Sequence, residues 1–282
     1  MSKNAKIVLF ISLILAVTAF QANTSIAYTL DWVAIQYRVY ESGNQVNRLA
    51  IEIKDDSGNY VASEGAVTSY TLRNPNGSLV NLSNKRFDSL WDHYGARYRL
   101  DTAAWEFFPP QKLSEFYADI LDPIVTGQYT VQVVMENAQV LQQTIDVLYL
   151  VDIPPISSRS YQVHTDLDGN LYWTWDIPKE LLALAETHPE YNLQFRAGLS
   201  VYNNGQWVAL YWPNIPVQMG FSFVPALMIQ ELLSKGDEIR FTLQVRTGNS
   251  NSRAYSNSIA VKDFSSPVSI TPQKSVVVVP MN

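Results

Sequence analysis

The chain of 282 residues contains no cysteine and only three histidines. Without cysteine there is no disulfide, no thiolate nucleophile and no site for a lipid anchor, so the fold must rest on packed cores. A catalytic serine needs a nearby base, and the candidates are limited to His93, His164 and His188. No Gly-x-Ser-x-Gly elbow occurs. The sequence therefore predicts no catalytic residue, no metal ligand and no cofactor.

Basic residues are also scarce, with 20 Lys and Arg against 26 Asp and Glu and a net charge of −6. Removing the first 27 residues takes away Lys3 and Lys6 and no acid, which leaves 18 basic residues. Nucleic-acid affinity comes from Lys and Arg that neutralise phosphates. The charge balance therefore argues against nucleic acid and against adsorption to an anionic membrane.

Long apolar runs are absent apart from residues 7–20 near the N-terminus. Lys3 and Lys6 precede this run, and Ser25-Ile26-Ala27 offers small residues for cleavage, which is the layout of a secretory signal peptide. The alternative is a membrane anchor, but a spanning helix needs ~20 apolar residues. We expect a signal peptide at 1–27 and a mature bacterial protein without a membrane span. Its predicted location is the periplasm, the cell surface or the extracellular space.

The C-terminal half alternates apolar and polar residues with the period of β-strands. Two segments carry the clearest alternation, and their apolar positions are Leu171, Trp173, Trp175, Phe241, Leu243 and Val245. The polar positions of the second segment, Thr242, Gln244 and Arg246, are expected outside the core. Short strands of this kind with no repeated helices between them predict a β-sandwich.

Three stretches of this half resemble a fibronectin type III domain over residues 158–262. They are LYWTWDIP at 171–178, LSKGDEIRFTLQVRT at 233–247 and AYSNSIAV at 254–261. The sequence departs from the family pattern at Phe241, where tyrosine is usual, and in a helical insertion at 225–235. The resemblance implies partners that are proteins or carbohydrates and implies no reaction.

The N-terminal half contains a near copy of a strand from the C-terminal half. YTVQV at 129–133 matches FTLQV at 241–245, and each copy follows a glycine and precedes a turn and a last strand. Coincidence is the alternative, since Val, Thr and Gln are common in strands. Tyr129 stands where immunoglobulin-like domains place their tyrosine corner. We interpret each copy as the next-to-last strand of its own sandwich.

The predicted fold is therefore all-β, with two tandem immunoglobulin-like and fibronectin type III β-sandwiches after the signal peptide. The immunoglobulin-like sandwich is predicted at 28–150 and the fibronectin type III domain at 158–262. A stiff proline-containing linker at 151–157 joins them, and a C-terminal tail occupies 263–282.

Aromatic residues are abundant, with seven tryptophans and sixteen tyrosines. Five of them lie in segments that look like loops or edge strands, namely Trp91, Tyr94, Trp207, Tyr211 and Trp212. Exposed aromatic faces bind sugars or anchor protein partners, so these five are the candidate binding residues. Packing between the two domains is the alternative interpretation.

Three functional hypotheses follow from these observations. The first is a secreted, non-enzymatic binding or spacer protein that contacts protein or glycan. The second is a carbohydrate-binding accessory module of a polysaccharide-degrading system, with Trp207, Tyr211 and Trp212 as its platform. The third and weakest is a hydrolase that uses the cluster of Asp88, Asp92 and His93.

Overall fold

A computed structural model of the protein describes residues 26–39, 44–148, 153–154, 161–236, 238–248 and 252–260. These residues form fifteen β-strands, two α-helices and two short 3-10 helices. The prediction of an all-β fold is confirmed. The predicted signal peptide up to residue 25, the tail at 263–282 and most of the linker lie outside the described residues.

The first eight strands belong to the N-terminal half. They are β1 (Tyr28–Val39), β2 (Gln45–Asp55), β3 (Val67–Arg73), β4 (Arg86–Arg99), β5 (Ala104–Phe107), β6 (Gln111–Ile120), β7 (Gly127–Met135) and β8 (Val140–Val147). One 3-10 helix, Glu64–Ala66, precedes β3.

The other seven strands belong to the C-terminal half. They are β9 (Tyr161–Thr165), β10 (Leu171–Trp175), β11 (Leu193–Asn203), β12 (Gln206–Pro216), β13 (Phe221–Val224), β14 (Glu238–Thr247) and β15 (Ser252–Ala260). Helix α1 (Lys179–Thr187) and the 3-10 helix Pro189–Tyr191 lie between β10 and β11. Helix α2 (Ala226–Leu233) lies between β13 and β14, where the sequence predicts a helical insertion.

Eight strands form one closed sheet in the order β12, β11, β14, β15, β1, β2, β6, β4, and β4 pairs back to β12. Both pairings between the halves are parallel: β1 runs beside β15, and β4 runs beside β12. Strand β5 continues the sheet beside the end of β4. Two smaller sheets, β3-β7-β8 and β13-β10-β9, complete the fold.

Each small sheet covers a separate hydrophobic core on the outer face of the closed sheet. The N-terminal core joins Ile51 of β2 and Phe116 of β6 to Val131 of β7. The C-terminal core joins Trp173 of β10 and Phe195 of β11 to Leu232 of α2. Two separate hydrophobic cores are therefore present, in agreement with the alternating apolar positions of the sequence.

The structure differs from the sequence expectation in how the two halves meet. We expected two sandwiches whose sheets are separate from each other, whereas the structure joins strands of both halves in one sheet along both edges. Tyr37, Tyr94 and Ala96 of the N-terminal half also pack into the C-terminal core. The predicted boundaries at 28–150, 151–157 and 158–262 stay predictions, and the fibronectin type III assignment does so as well.

Closure of the sheet changes the environment of its polar face. Gln244 and Arg246, which we expected outside the core, are only 1% and 4% exposed. The physical reason is that the polar faces of the two halves are turned towards each other. The predicted period-2 alternation is correct, but the polar side chains of these strands line the interior of the closed sheet and do not face solvent.

Local details agree with the sequence at two places. Strands β7 and β14, which carry the repeated motif, each pair with the last strand of their half. The Val125 amide donates to the Tyr129 hydroxyl oxygen at 3.0 Å, which is a contact of the tyrosine-corner type. None of the helices in the described part of the chain is long and apolar enough to cross a membrane.

Candidate functional site

A partly enclosed cavity of about 190 Å³ lies on the inner face of the closed sheet. Its walls come from both halves of the chain and combine tryptophans with charged side chains. The aromatic and cationic members are Trp32, Trp91, Trp207, Trp212, Arg38, Arg48 and Arg196, and the others include Gln36, Glu52, Asp88, His93 and Glu115. A closed sheet of eight strands has an interior that side chains fill or that holds one small ligand.

A wider groove of about 400 Å³ adjoins this cavity. The groove shares Asp88, Trp91 and Trp207 with the cavity, so the two spaces have common walls. Tyr117 of β6 and Tyr202 of β11 form further sides of the groove. The hairpin turn between β11 and β12, with φ of 50° at Asn204 and 75° at Gly205, lies at its rim.

Two tryptophans, one from each half, stack between the groove and the cavity. The ring centroids of Trp91 and Trp207 are 5.2 Å apart, and their planes differ by 9°. A β-bulge at Val208 makes this contact possible, because the pairing skips from Val201–Ala209 to Tyr202–Trp207. Strict alternation placed Trp207 and Trp212 on opposite faces, whereas the bulge brings both to the cavity.

Trp212 lies directly against the backbone of Gly198 on the neighbouring strand. A Cβ at Gly198 would come within 3 Å of two atoms of the indole ring and of the Tyr211 carbonyl oxygen. The Arg196 guanidinium lies over the same ring, 4.8 Å from its centroid. Gly198 and Arg196 therefore fix Trp212 inside the closed sheet.

The five candidate aromatics do not form an exposed platform. Trp91, Tyr94 and Tyr211 are 5%, 2% and 0% exposed, so the expectation of surface exposure is wrong for these three. Trp207 and Trp212 are half-buried. Trp91 stacks on Trp207 of the other half and Tyr94 packs into the C-terminal core, which corresponds to the alternative of packing between the halves. Tyr211 is buried in the core of its own half. A role of these residues in binding stays a prediction.

The outer face of the closed sheet holds Tyr94 and Tyr211. The Tyr94 hydroxyl donates to Glu231 of α2 at 2.5 Å, and the Tyr211 hydroxyl donates to the Phe223 carbonyl oxygen at 2.8 Å. Burial raises the pKa of both tyrosines, and the hydrogen bond to Glu231 adds to the rise at Tyr94. These two residues stabilise the C-terminal core and do not reach the cavity.

The cluster of Asp88, Asp92 and His93 is not brought together. Asp88 and His93 line the cavity, whereas Asp92 forms ion pairs with Lys112 at 2.5 Å and Lys235 at 2.7 Å. Burial raises the pKa of Asp92, but the hydrogen bonds from the two lysines outweigh it and lower the pKa overall. Among the described residues, no three His, Asp or Glu side chains are placed to hold a metal ion.

The end of the interior near Asp88 holds charges of both signs. Asp119 pairs with Arg48 at 3.6 Å and with Arg86 at 2.5 Å. Both guanidinium groups lie within 4.6 Å of the Tyr117 ring centroid. Burial raises the pKa of the Asp88 carboxyl, although the Tyr117 hydroxyl and the nearby arginines act in the opposite direction. The carboxylates of Asp88 and Asp119 at this end therefore each lie near arginine side chains.

The charged groups that act on His93 differ from those around Asp88. Burial and, to a smaller extent, the charges of Arg196 and Arg246 together lower the pKa of the His93 imidazole to about 4. Arg246 Nη2 donates to the side-chain oxygens of Gln194 and Asn214. His93 is therefore neutral at pH 7.

Sequence analysis missed the polar residues of this interior, chiefly the buried Gln244 and Arg246 and the half-buried Arg196. One signal was available, because the polar positions of these strands carry arginine and glutamine where a solvated face usually carries lysine as well. Arginine is favoured over lysine at buried and interface positions. The composition of a polar strand face can therefore indicate burial.

Comparisons with known proteins add little to this geometry. No family model matches the chain, and no curated protein matches it. Among solved structures, a match is found to the crystal structure of murine CEACAM1b, at 13% identity and a TM-score of 0.17. The match covers 82% of this chain and 98% of that chain. A TM-score of this size carries no argument about fold or function.

Proposed function

We propose that the protein is an exported, non-enzymatic binding protein whose ligand occupies the groove between its two halves. The observation that carries the proposal is the groove itself, which is walled by Tyr117, Tyr202 and Trp207 and has Asp88 and Gln206 as polar members. Ligand sites favour such places, where elements from two parts of a chain meet and a few polar groups converge among apolar ones.

The size of the groove favours a saccharide-sized ligand over a protein partner. Its volume of about 400 Å³ falls within the ~300–1,000 Å³ of small-molecule sites. A stable protein interface needs ~800 Å² on each partner, which calls for a broad surface. Ser89 and Gln206 offer neutral hydrogen-bonding groups of the kind that hydroxyls require. We therefore favour glycan over protein.

The chemistry of the groove also disfavours a cationic ligand. Guanidinium groups already lie over two of the aromatic rings that would attract a cation. Arg48 and Arg86 lie over the Tyr117 ring, and Arg240 lies over the Tyr202 ring. A second cation would meet these charges. A neutral, polyhydroxylated ligand avoids this repulsion.

The proposal does not include catalysis. Asp92 is ion-paired with two lysines and is not a wall of the cavity that Asp88 and His93 line, so the three residues of the hydrolase hypothesis do not share one site. Export remains part of the proposal on the strength of the N-terminal sequence. Sequencing of the mature N-terminus should find Tyr28 as the first residue.

A glycan array probed with the wild type and with Trp207→Ala and Tyr202→Ala tests the proposal. We expect the wild type to bind at least one saccharide, and each replacement to weaken that binding at least tenfold. Leu79→Ala is the matched control, because Leu79 is 57% exposed and lies on no wall of the groove. Absence of any glycan binding by the wild type would refute the saccharide proposal.

A further inference from the structure

A β-bulge in β4 places Asp88 on the same walls as Trp91. The pairing of β4 with β6 is in register at Asp88 and again at Trp91, but the register shifts between these two residues. Residues three apart on a regular strand point to opposite faces, whereas Asp88 and Trp91 both line the groove and the cavity. The bulge at Val208 of β12 brings Trp207 to the same groove. Each half therefore contributes a bulged strand to this site, and β-bulges re-aim side chains next to functional sites.

A fixed aromatic ring holds the Asp88 carboxylate at the wall of the groove. The Tyr117 hydroxyl donates to Asp88 Oδ1 at 3.3 Å, and the Tyr117 ring is itself a wall of the groove. Arg48 and Arg86 lie over this ring, 4.5 and 4.6 Å from its centroid. Both arginines pair with Asp119, which limits their movement and that of the ring. The carboxylate is therefore held in position before a ligand arrives.

The second oxygen of Asp88 faces open space. Among the described residues, no donor bonds to Asp88 Oδ2, and this atom is not one of the buried polar atoms that lack a partner. An oxygen that is neither bonded nor buried is accessible from the groove or the cavity. Burial raises the pKa of this carboxyl, while the Tyr117 hydroxyl and the nearby arginines favour its charged form. A carboxylate only accepts hydrogen bonds, and the bonds that it accepts are roughly twice as strong as those between neutral groups.

The other walls of the groove are uncharged. Among the described residues that line it, Asp88 is the only one with a charged side chain. Tyr202 and Trp207 are half-buried and offer aromatic surface. One face of a sugar ring carries mainly C–H groups, which pack on the negative face of an aromatic ring and leave the hydroxyls free to donate. A ligand carboxylate in this space would meet the like charge of Asp88, and like charges in a shared site disfavour each other.

We propose that Asp88 determines the specificity of the groove by accepting hydrogen bonds from the hydroxyls of a neutral saccharide and by excluding saccharides that carry a carboxylate. This inference rests on the proposed function, because it takes the groove to be the saccharide site. It adds the class of saccharide, which is uncharged, and the residue that selects it.

A glycan array with matched pairs tests the inference, with glucose oligomers beside glucuronic acid oligomers and galactose oligomers beside galacturonic acid oligomers. We expect the wild type to bind a neutral member at least tenfold more tightly than its acidic counterpart at pH 7. Equal or tighter binding of the acidic members would overturn this inference and leave the proposed function standing. Absence of binding to every member would refute both.

Asp88→Asn keeps the size of the side chain and removes its charge. We expect the ratio of neutral to acidic affinity to fall at least fivefold, because the amide is a weaker acceptor and its N–H can donate to a ligand carboxylate. Asp146→Asn is the matched control, because it changes the net charge equally at an exposed residue of β8 outside the groove, and it should leave the ratio unchanged. A ratio that Asp88→Asn does not change, with both affinities lowered equally or not at all, would contradict the inference.

Gln206→Glu tests the same reasoning at an exposed position, where the replacement does not disturb packing. Gln206 lines the groove at the start of β12. A second carboxylate on the wall should increase the ratio of neutral to acidic affinity at least threefold. An unchanged or smaller ratio would refute selection by charge, even if Asp88→Asn failed to fold.

Discussion

The burial of neutral His93 predicts a specific dependence of stability on pH. The unfolded imidazole takes up a proton near pH 6.5, whereas the folded one does so only near pH 4. Since the pKa is lowered on folding, its contribution to stability is complete above pH 6.5 and is lost as the pH falls towards 4. The difference of about 2.5 pH units, at about 1.4 kcal/mol per unit, corresponds to about 3.5 kcal/mol, of which about 3 kcal/mol is lost by pH 4, where half of the folded imidazoles are protonated.

The assay is urea denaturation of the wild type and His93→Gln at pH 7 and pH 4, at constant ionic strength. We expect the wild type to lose about 3 kcal/mol more of its free energy of unfolding than the variant over this interval. Other titrating groups, such as Asp88, are present in both proteins and cancel in the difference. His188→Gln is the control, because the His188 side chain is 44% exposed. Equal losses in the wild type and His93→Gln would refute the reasoning.

Three further predictions concern the closed sheet. Gly198→Ala should lower the free energy of unfolding by about 1–3 kcal/mol, because the added methyl group displaces Trp212. Urea denaturation measures this loss, with Gly65→Ala as the control, because the nearest atom to a Cβ at Gly65 is 3.5 Å away. A double-mutant cycle on Trp91 and Trp207 should give a coupling of about 0.5–1.5 kcal/mol, and additive effects would contradict the stacked pair. Calorimetry of the mature chain should give one cooperative transition, because the parallel pairings β1–β15 and β4–β12 join the two halves; two separate transitions would indicate independent domains.

Much of the fold could be predicted from local patterns. Alternation placed Trp173 and Phe241 correctly in a core, where their rings meet edge to face with centroids 5.2 Å apart. Asn204 and Gly205 adopt the positive φ that the hairpin turn requires. These features depend on a few consecutive residues, so a single sequence is enough to find them.

The candidate site could not be predicted in the same way. It depends on which sheet edges meet, and the residues that pair there, such as Tyr94 and Tyr211, are more than a hundred positions apart in the chain. The bulge at Val208 also reverses the face that Trp207 would otherwise occupy. A polar strand face has the same pattern whether it meets water or another polar face, so the burial of Arg246 required knowledge of the pairing.

The two parallel pairings also protect the molecule from self-association. Strands β1, β4, β12 and β15 would each present a long row of unpaired amides and carbonyls if the halves came apart, and such rows recruit strands from neighbouring molecules. In the small sheet of the C-terminal half, the free edges are β9 and β13, of only five and four residues. A substitution that loosens either junction would therefore promote aggregation before it unfolded either core.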